Sequence, residues 1–354
     1  MIFLGKEHPL FSSYIKYNSL ITSFTPTYHH PFYIGKKDLI EGEQYFIHPG
    51  LPLVDQNSNI EYIFNFEDQC ALFYNMDNGN TYNKDYTNYW EKEYIKYTLE
   101  DPRCKKIICH INQMAQALPK LLQSSIIENK IHYLLPGIED NTNNTIKKEN
   151  DPFTILFTNS WSDWGKSFYL RGGHFLLNTF INLSQKYSNI KLILRTSLPD
   201  NFQENINKLN SDKIEIYNNK MFDQEIDTLY QKADIVVLPS IRVHSHSLLK
   251  AISYGLPIIT TNGWGINEFV KHEYNGLILD KFENLSWHDD NLGCRENYSL
   301  LYDNSKLDQH VISQLYYYLE YLISNPDYLN YLSNNTKTLY KEKYTLDNWK
   351  QWII

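Results

Sequence analysis

Cysteine is scarce in this 354-residue chain, with only Cys70, Cys104, Cys109 and Cys294. Four thiols in a chain of this size do not make a disulfide framework and point to a reducing compartment. No run approaches the ~18 apolar residues that a membrane-spanning helix needs. The opening Met1-Ile-Phe-Leu-Gly-Lys6 holds no apolar core of signal-peptide length, so a cytoplasmic protein with at most peripheral membrane contact is expected. Basic residues are not in excess. The net charge of −8 argues against nucleic acid as a partner, since that surface would carry a basic stripe. No Gly-x-Gly-x-x-Gly occurs, which speaks against a dinucleotide-dependent oxidoreductase. Internal repeats are absent. Cys104-x4-Cys109-His110 reads either as half a zinc site whose other half is missing or as a buried thiol pair, and no metal is expected.

What is present is ample core material. A hydrophobic content of 42% and an aromatic content of 15% exclude global disorder, and the length fits two domains. The stretch from Ala233 to Leu279 is the most legible. Ala233-Asp-Ile-Val-Val-Leu238 is a short buried strand stopped by Pro239-Ser240. Ser247 to Tyr254 has apolar residues at 248, 249 and 252, a helical spacing closed by Gly255-Leu-Pro257. Ile258 to Thr261 is a second strand, Asn262-Gly-Trp-Gly265 a flexible turn, and Ile266 to Lys271 the start of a helix. This alternation is that of a parallel sheet with ligand loops at its strand ends.

Upstream, Gln44–Ile47, Ile60–Phe64 and Cys70–Tyr74 read as strands, Asp77–Asn80 as a turn, and Tyr89–Glu100 as an amphipathic helix. No clear opening strand with a glycine-rich turn is visible. Lys105–Cys109 is a strand, Met114–Ser124 a helix, and Lys130–Gly137 the strand that closes a first domain at residues 1–138. Residues 139–151 are polar and without periodicity, which predicts a linker to a second domain at 152–354. That domain opens with the strand Phe153–Thr158 and a long loop ending in Arg171-Gly172-Gly173, then a helix from His174 to Tyr187. A cation, two glycines and a helix N-terminus are what a diphosphate needs, and Lys166 in the same loop adds charge. The same residues also fit a solvated surface loop. Further on come strands at 190–194 and 213–217, a helix at 224–232 capped by Asp223, and helices at 311–324 and 328–340. Met221 and Phe222 flank a ligand or belong to the core.

The run Pro239-Ser240, then Leu248-Leu-Lys-Ala-Ile-Ser-Tyr-Gly-Leu-Pro257, Ile-Thr-Thr-Asn-Gly-Trp-Gly-Ile-Asn-Glu268 and Asn275-Gly-Leu-Ile-Leu279 resembles the donor half of retaining GT-B glycosyltransferases of the group 1/family 4 kind. The resemblance implies an α/β fold of two Rossmann-like domains with a crevice between them. It also implies transfer of a sugar from a nucleoside-diphosphate sugar to a glycan, lipid-linked or other hydroxyl acceptor, as in polysaccharide biosynthesis, without a metal. The donor-site positions it implies are Lys166, Arg171, Gly172, Gly173, Arg242, His244, Ser245, Lys250, Gly263, Trp264, Gly265 and Glu268. The sequence departs from the family at two of them. Arg242 (or Val243) and Lys250 stand where glutamates are usual, which leaves a degenerate, non-catalytic module as the alternative. His244 and His246 lack a third ligand for a metal and fit hydrogen bonding to a donor better. The resemblance also implies a histidine of the first domain near the sugar, and His29, His30, His48 and His110 are candidates. The last residues resemble a closing helix that packs on the first domain. No acid–base pair is required, because in such enzymes the leaving diphosphate is thought to help deprotonate the acceptor.

Overall fold

The computed structural model describes residues 2–4, 22–24, 28–30, 33–34, 40, 42–47, 51–52, 59–66, 91–144, 146, 150–159, 166–199, 211–241, 243–282 and 305–353. The expected strand at 70–74, the turn at 77–80, His48 and Arg242 lie outside them. The chain divides into two compact units: Met1–Ile138 with Trp287–Asn297 and Leu346–Ile354, and Glu139–Ser286 with Tyr298–Thr345.

The first unit holds a parallel sheet of β1 (Ile2–Leu4), β2 (Thr22–Phe24), β5 (Gln44–Ile47), β7 (Glu61–Phe66), β8 (Cys104–Cys109) and β9 (Ile131–Tyr133), in the order β2-β1-β5-β7-β8-β9. A smaller sheet joins β3 (Tyr28–His30), β4 (Tyr33–Ile34) and β6 (Leu51–Pro52). Tyr45, Phe46 and Ile47, like residues 62–66, are buried without alternation, as parallel strands covered on both faces should be. An opening strand therefore exists; at three residues it is too short to show a pattern.

Helix α1 (Glu91–Glu100) is tied to β7 by the Tyr62 hydroxyl, which donates to the Thr98 carbonyl at 2.6 Å. Helix α2 (Asn112–Leu122) ends at Gln123 in the left-handed region. Ser124 then caps a further helix, α3 (Ser125–Lys130), by accepting from the Ile127 N–H at 3.1 Å. The strand expected from Lys130 thus begins at Ile131. Lys130 instead caps α1, its ammonium donating to the carbonyls of Leu99, Glu100 and Asp101 at 3.1, 2.9 and 2.7 Å. The last helix of this unit, α10 (Leu346–Ile353), comes from the far end of the chain. Its Trp349 is buried edge-on against Phe46, with centroids 6.5 Å apart.

The second unit is built on β10 (Phe153–Thr158), β11 (Ile190–Arg195), β12 (Ile214–Tyr217), β13 (Ile235–Leu238), β14 (Ile258–Thr261) and β15 (Gly276–Leu279). All pairs are parallel and the order is β12-β11-β10-β13-β14-β15. Its helices are α4 (Lys166–Leu170), α5 (Gly173–Lys186), α6 (Asp223–Lys232), α7 (Ser245–Ser253), α8 (Ser305–Ser324) and α9 (Pro326–Lys343). Asp223 is the first residue of α6 and not its cap. The end is closed by Glu225, whose carboxylate accepts from the Phe222 N–H at 2.7 Å. In the expected linker, Asn141 donates its N–H to the Ser253 carbonyl at 2.9 Å and Asp140 accepts from Thr142, so residues 139–144 belong to this unit.

Candidate functional site

Numbered within the second unit, the strand order is 3-2-1-4-5-6, so the progression of strands across the sheet reverses between β10 and β13. Open parallel sheets bind ligands outside the carboxyl ends of the strands at that switch point. The loops that leave β10 and β13 meet there. Arg171, between α4 and α5, points a guanidinium Nη1 at the Ser240 hydroxyl (3.4 Å) and the Val243 carbonyl (3.3 Å). The Ile241 N–H donates to the Leu170 carbonyl at 3.3 Å. Gly172 caps α5 at φ +73°, and a Cβ there would stand 2.1 Å from the Pro239 carbonyl oxygen. No side chain fits, which is why the position is glycine. A Cβ on Gly173 would meet the buried ring of Phe168 at 2.2 Å.

The loop after β14 joins them. The Thr261 hydroxyl donates to the Ser240 carbonyl at 2.6 Å and accepts from the Gly263 N–H at 3.2 Å. Gly263 is packed so that a Cβ would lie 3.3 Å from the Ile241 carbonyl. Gly265, at φ +74°, opens a short 3-10 turn over Ile266–Glu268, and Trp264 and Glu268 are half-buried. His244 forms the N-terminal boundary of α7, its Nδ1 hydrogen-bonded to the Ser247 hydroxyl at 2.6 Å, and Ser245 behind it is fully buried. Among the described residues, the rim combines the Arg171 guanidinium with the N-termini of α5 and α7. It is suited to a polyanion with hydroxyl groups attached. A surface cavity lined by Ile146, Asp151, Thr154, Lys191, Ile193 and Lys232 lies at the opposite, amino-terminal ends of β10 and β11, away from this chemistry.

Known proteins match this part of the chain. Residues 165–289 fit the family described as Glycosyl transferases group 1, a span that includes Arg171–Gly173 and the loop after β13. An uncharacterized glycosyltransferase of Methanocaldococcus jannaschii is 25% identical over 140 residues. That match spans 39% of this chain and only 34% of the relative, about a third of its length. A glycosyltransferase from Rickettsia africae superposes over 99% of this chain and 87% of its own, with a TM-score of 0.59 at 14% identity. HepE of Anabaena, solved with UDP, superposes over 88% of this chain and 77% of its own, with a TM-score of 0.57 at 12% identity. The pneumococcal O-GlcNAc transferase GtfA, solved with UDP and GlcNAc, covers 90% of this chain and 57% of its own, with a TM-score of 0.59 at 11% identity. The fold is GT-B.

In this GT-B chain the sheet's carboxyl edge brings together Arg171, Gly172, Gly173, His244, Ser245 and Gly263, with Trp264, Gly265 and Glu268 on the loop that follows. Lys166 opens α4, one turn before Arg171. Lys250 turns elsewhere. It is 8% exposed in the last turn of α7, its ammonium 2.6 Å from the Asp227 carboxylate of α6 and over the Tyr230 ring at 5.9 Å. Its charge is therefore answered within the protein. Two groups at the GT-B edge escape sequence reasoning. Arg195, at the end of β11, donates from Nη1 to the Asn159 carbonyl at 2.8 Å and the Thr158 hydroxyl at 3.4 Å, and burial lowers its pKa. The only trace of it in the sequence is a cation closing an apolar strand. His174, on the first turn of α5, is buried between Tyr169 and Phe175, and neither ring nitrogen has a hydrogen-bond partner among the described residues. Burial pushes its pKa down to about 3, so it is neutral. In the first unit, His110 is buried and its Nε2 lies 2.9 Å from the Asn65 carboxamide.

Proposed function

We propose that this chain is a retaining glycosyltransferase that moves a sugar from a nucleoside-diphosphate sugar to a hydroxyl acceptor, in cytoplasmic glycan or glycoconjugate synthesis. The observation that carries the reading is Arg171, held between the ends of β10 and β13 at the start of α5. A guanidinium and a helix N-terminus aimed at one place neutralise a diphosphate both when it is bound and when it departs with extra charge. Charge that develops on the leaving oxygen is then met by fixed dipoles, and the remaining work is positioning. Retention follows if the departing diphosphate takes the acceptor proton on the face from which it leaves. The hydroxyls and backbone around Ser240, His244 and Gly263 supply hydrogen bonds to the donor's neutral part. The group 1 match across these loops supports this reading, as do relatives solved with UDP.

The test is calorimetric titration with nucleoside diphosphates and their sugars, followed by NMR of the anomeric proton of any product. A native-state ligand must also raise the melting temperature. If no nucleoside diphosphate binds, the proposal falls. If the product has the inverted anomeric configuration, the retaining mechanism falls.

A second reading is favoured by one observation. Lys250, where the family has a glutamate, is engaged with Asp227. On that reading the chain binds nucleotide sugars without transferring them. Donor binding with neither transfer nor hydrolysis across an acceptor panel would establish it.

A further inference from the structure

The hairpin of α8 and α9 carries an aromatic stripe that nothing in the donor site uses. Tyr317 and Tyr321 of α8 stack at 6.4 Å, Tyr321 meets Tyr328 of α9 edge-on at 5.4 Å, and Tyr328 stacks on Tyr331 at 5.9 Å. The stripe continues inward through Tyr318 to His272, in steps of 6.1 Å each. Tyr317 is 63% exposed, Tyr331 48% and Tyr321 42%. Its place in the fold is set by α8. Gln314 bonds to Asp280 at the carboxyl end of β15, while further along α8 Glu320 and Ser324 meet Lys186 and Tyr187, which lie at the end of α5 just before the amino end of β11. The exposed rings continue past that amino end, away from the switch-point loops.

The chemistry of the stripe selects its occupant. Every exposed large apolar side chain on the described parts of α8 and α9 is a tyrosine, with no aliphatic residue or phenylalanine among them. Each ring pairs an apolar face with a hydroxyl tip, so the stripe is amphipathic and not a purely apolar patch. Carboxylates act on two of its inner phenols, Glu273 on Tyr318 and Tyr328 and Asp280 on Tyr318. Lys186, which reaches the neighbouring face of α8, is matched by Glu320. A nucleic acid or an anionic bilayer requires the opposite sign. Flat rings with hydroxyl tips, carboxylates beside them and the exposed Asn334 one turn from Tyr331 suit a neutral chain rich in hydroxyl groups.

We propose that this stripe binds a neutral glycan chain, with sugar rings lying on the tyrosine faces at the end of the second unit opposite the nucleotide loops. It rests on the transferase reading only in that a glycan is the expected acceptor or product. The test titrates the full chain with maltohexaose, cellohexaose and chitohexaose, by calorimetry and saturation-transfer NMR. At least one should bind in the micromolar to millimolar range. Tyr317→Ala with Tyr321→Ala, both at exposed positions, should weaken that binding at least tenfold at unchanged melting temperature. Tyr321→Phe, which keeps the ring, should retain it. Arg171→Ala should leave it unchanged, and the tyrosine variants should leave nucleoside-diphosphate binding unchanged. Three outcomes overturn the proposal: no hexasaccharide binds, the double alanine variant binds as the wild type does, or the variant instead abolishes self-association or binding to phosphatidylglycerol vesicles. Tyrosine-dependent glycan binding without any nucleotide binding would keep the stripe and remove the transferase reading.

Discussion

Lys250 and Asp227 form an ion pair of 2.6 Å between α7 and α6, with Tyr230 stacked on Tyr254 beside it. The lysine, at a position where the sequence resemblance implies a glutamate, is a structural cation. Replacing it with glutamate sets two carboxylates against each other in a largely buried place. About a third of the Asp227 side chain is exposed, so the cost is set below that of a fully buried pair, at roughly 2–3 kcal/mol. Urea unfolding of Lys250→Glu should show that loss, and adding Asp227→Lys should recover most of it. Unchanged stability in the single variant would mean that the pair does not hold the helices.

Arg171→Ala should weaken nucleoside-diphosphate binding by about 1–3 kcal/mol, the range for a charge-assisted hydrogen bond. Binding of the nucleoside alone should hardly change. Equal losses for both ligands, read by calorimetry, would remove Arg171 from the diphosphate.

Gly172→Ala combines a left-handed backbone with a clash against the Pro239 carbonyl. Strain of the first kind alone costs about 1–2 kcal/mol, and the clash adds to it. A melting temperature within a degree of wild type would show that the loop after β13 yields freely.

His174 predicts a pH dependence with a definite sign. Its pKa is about 3 in the fold and near 6.5 in the unfolded chain, so between those values the unfolded state binds the extra proton. Its contribution is complete above about pH 6.5 and is lost as pH falls toward 3, at up to about 1.4 kcal/mol per pH unit. Carboxylates titrate over the same interval, so the comparison is with His174→Leu, whose stability should fall less steeply between pH 6.5 and 4. Parallel curves would show that the imidazole is charged in the fold.

What the sequence reveals of this architecture follows run length. The strands β10, β11, β13 and β14 are mostly buried and read as short runs dominated by apolar and β-branched residues, broken in β11 by Lys191, and α7 is closed by Gly255 and Pro257. The three-residue β1 and the five-residue α4 are too short to show a period. Helix α3 is hidden because its cap, Ser124, falls where the preceding helix was expected to end. In the site, Arg171 and its glycines are legible because they are contiguous. The partner of Lys250 is not, because Asp227 lies on another helix and only folding brings the two together.

The burial of Trp349 against Phe46 bears on the order in which the protein is made. The first unit takes α10 from beyond residue 345, after the second unit's own residues have ended. A ribosome therefore releases every strand and helix of the second unit before the indole that fills the first unit's core has been synthesised. Domains ordinarily mature from the amino end during synthesis. Here the amino-terminal unit is completed last, since the indole that packs on Phe46 is made after every element of the second unit.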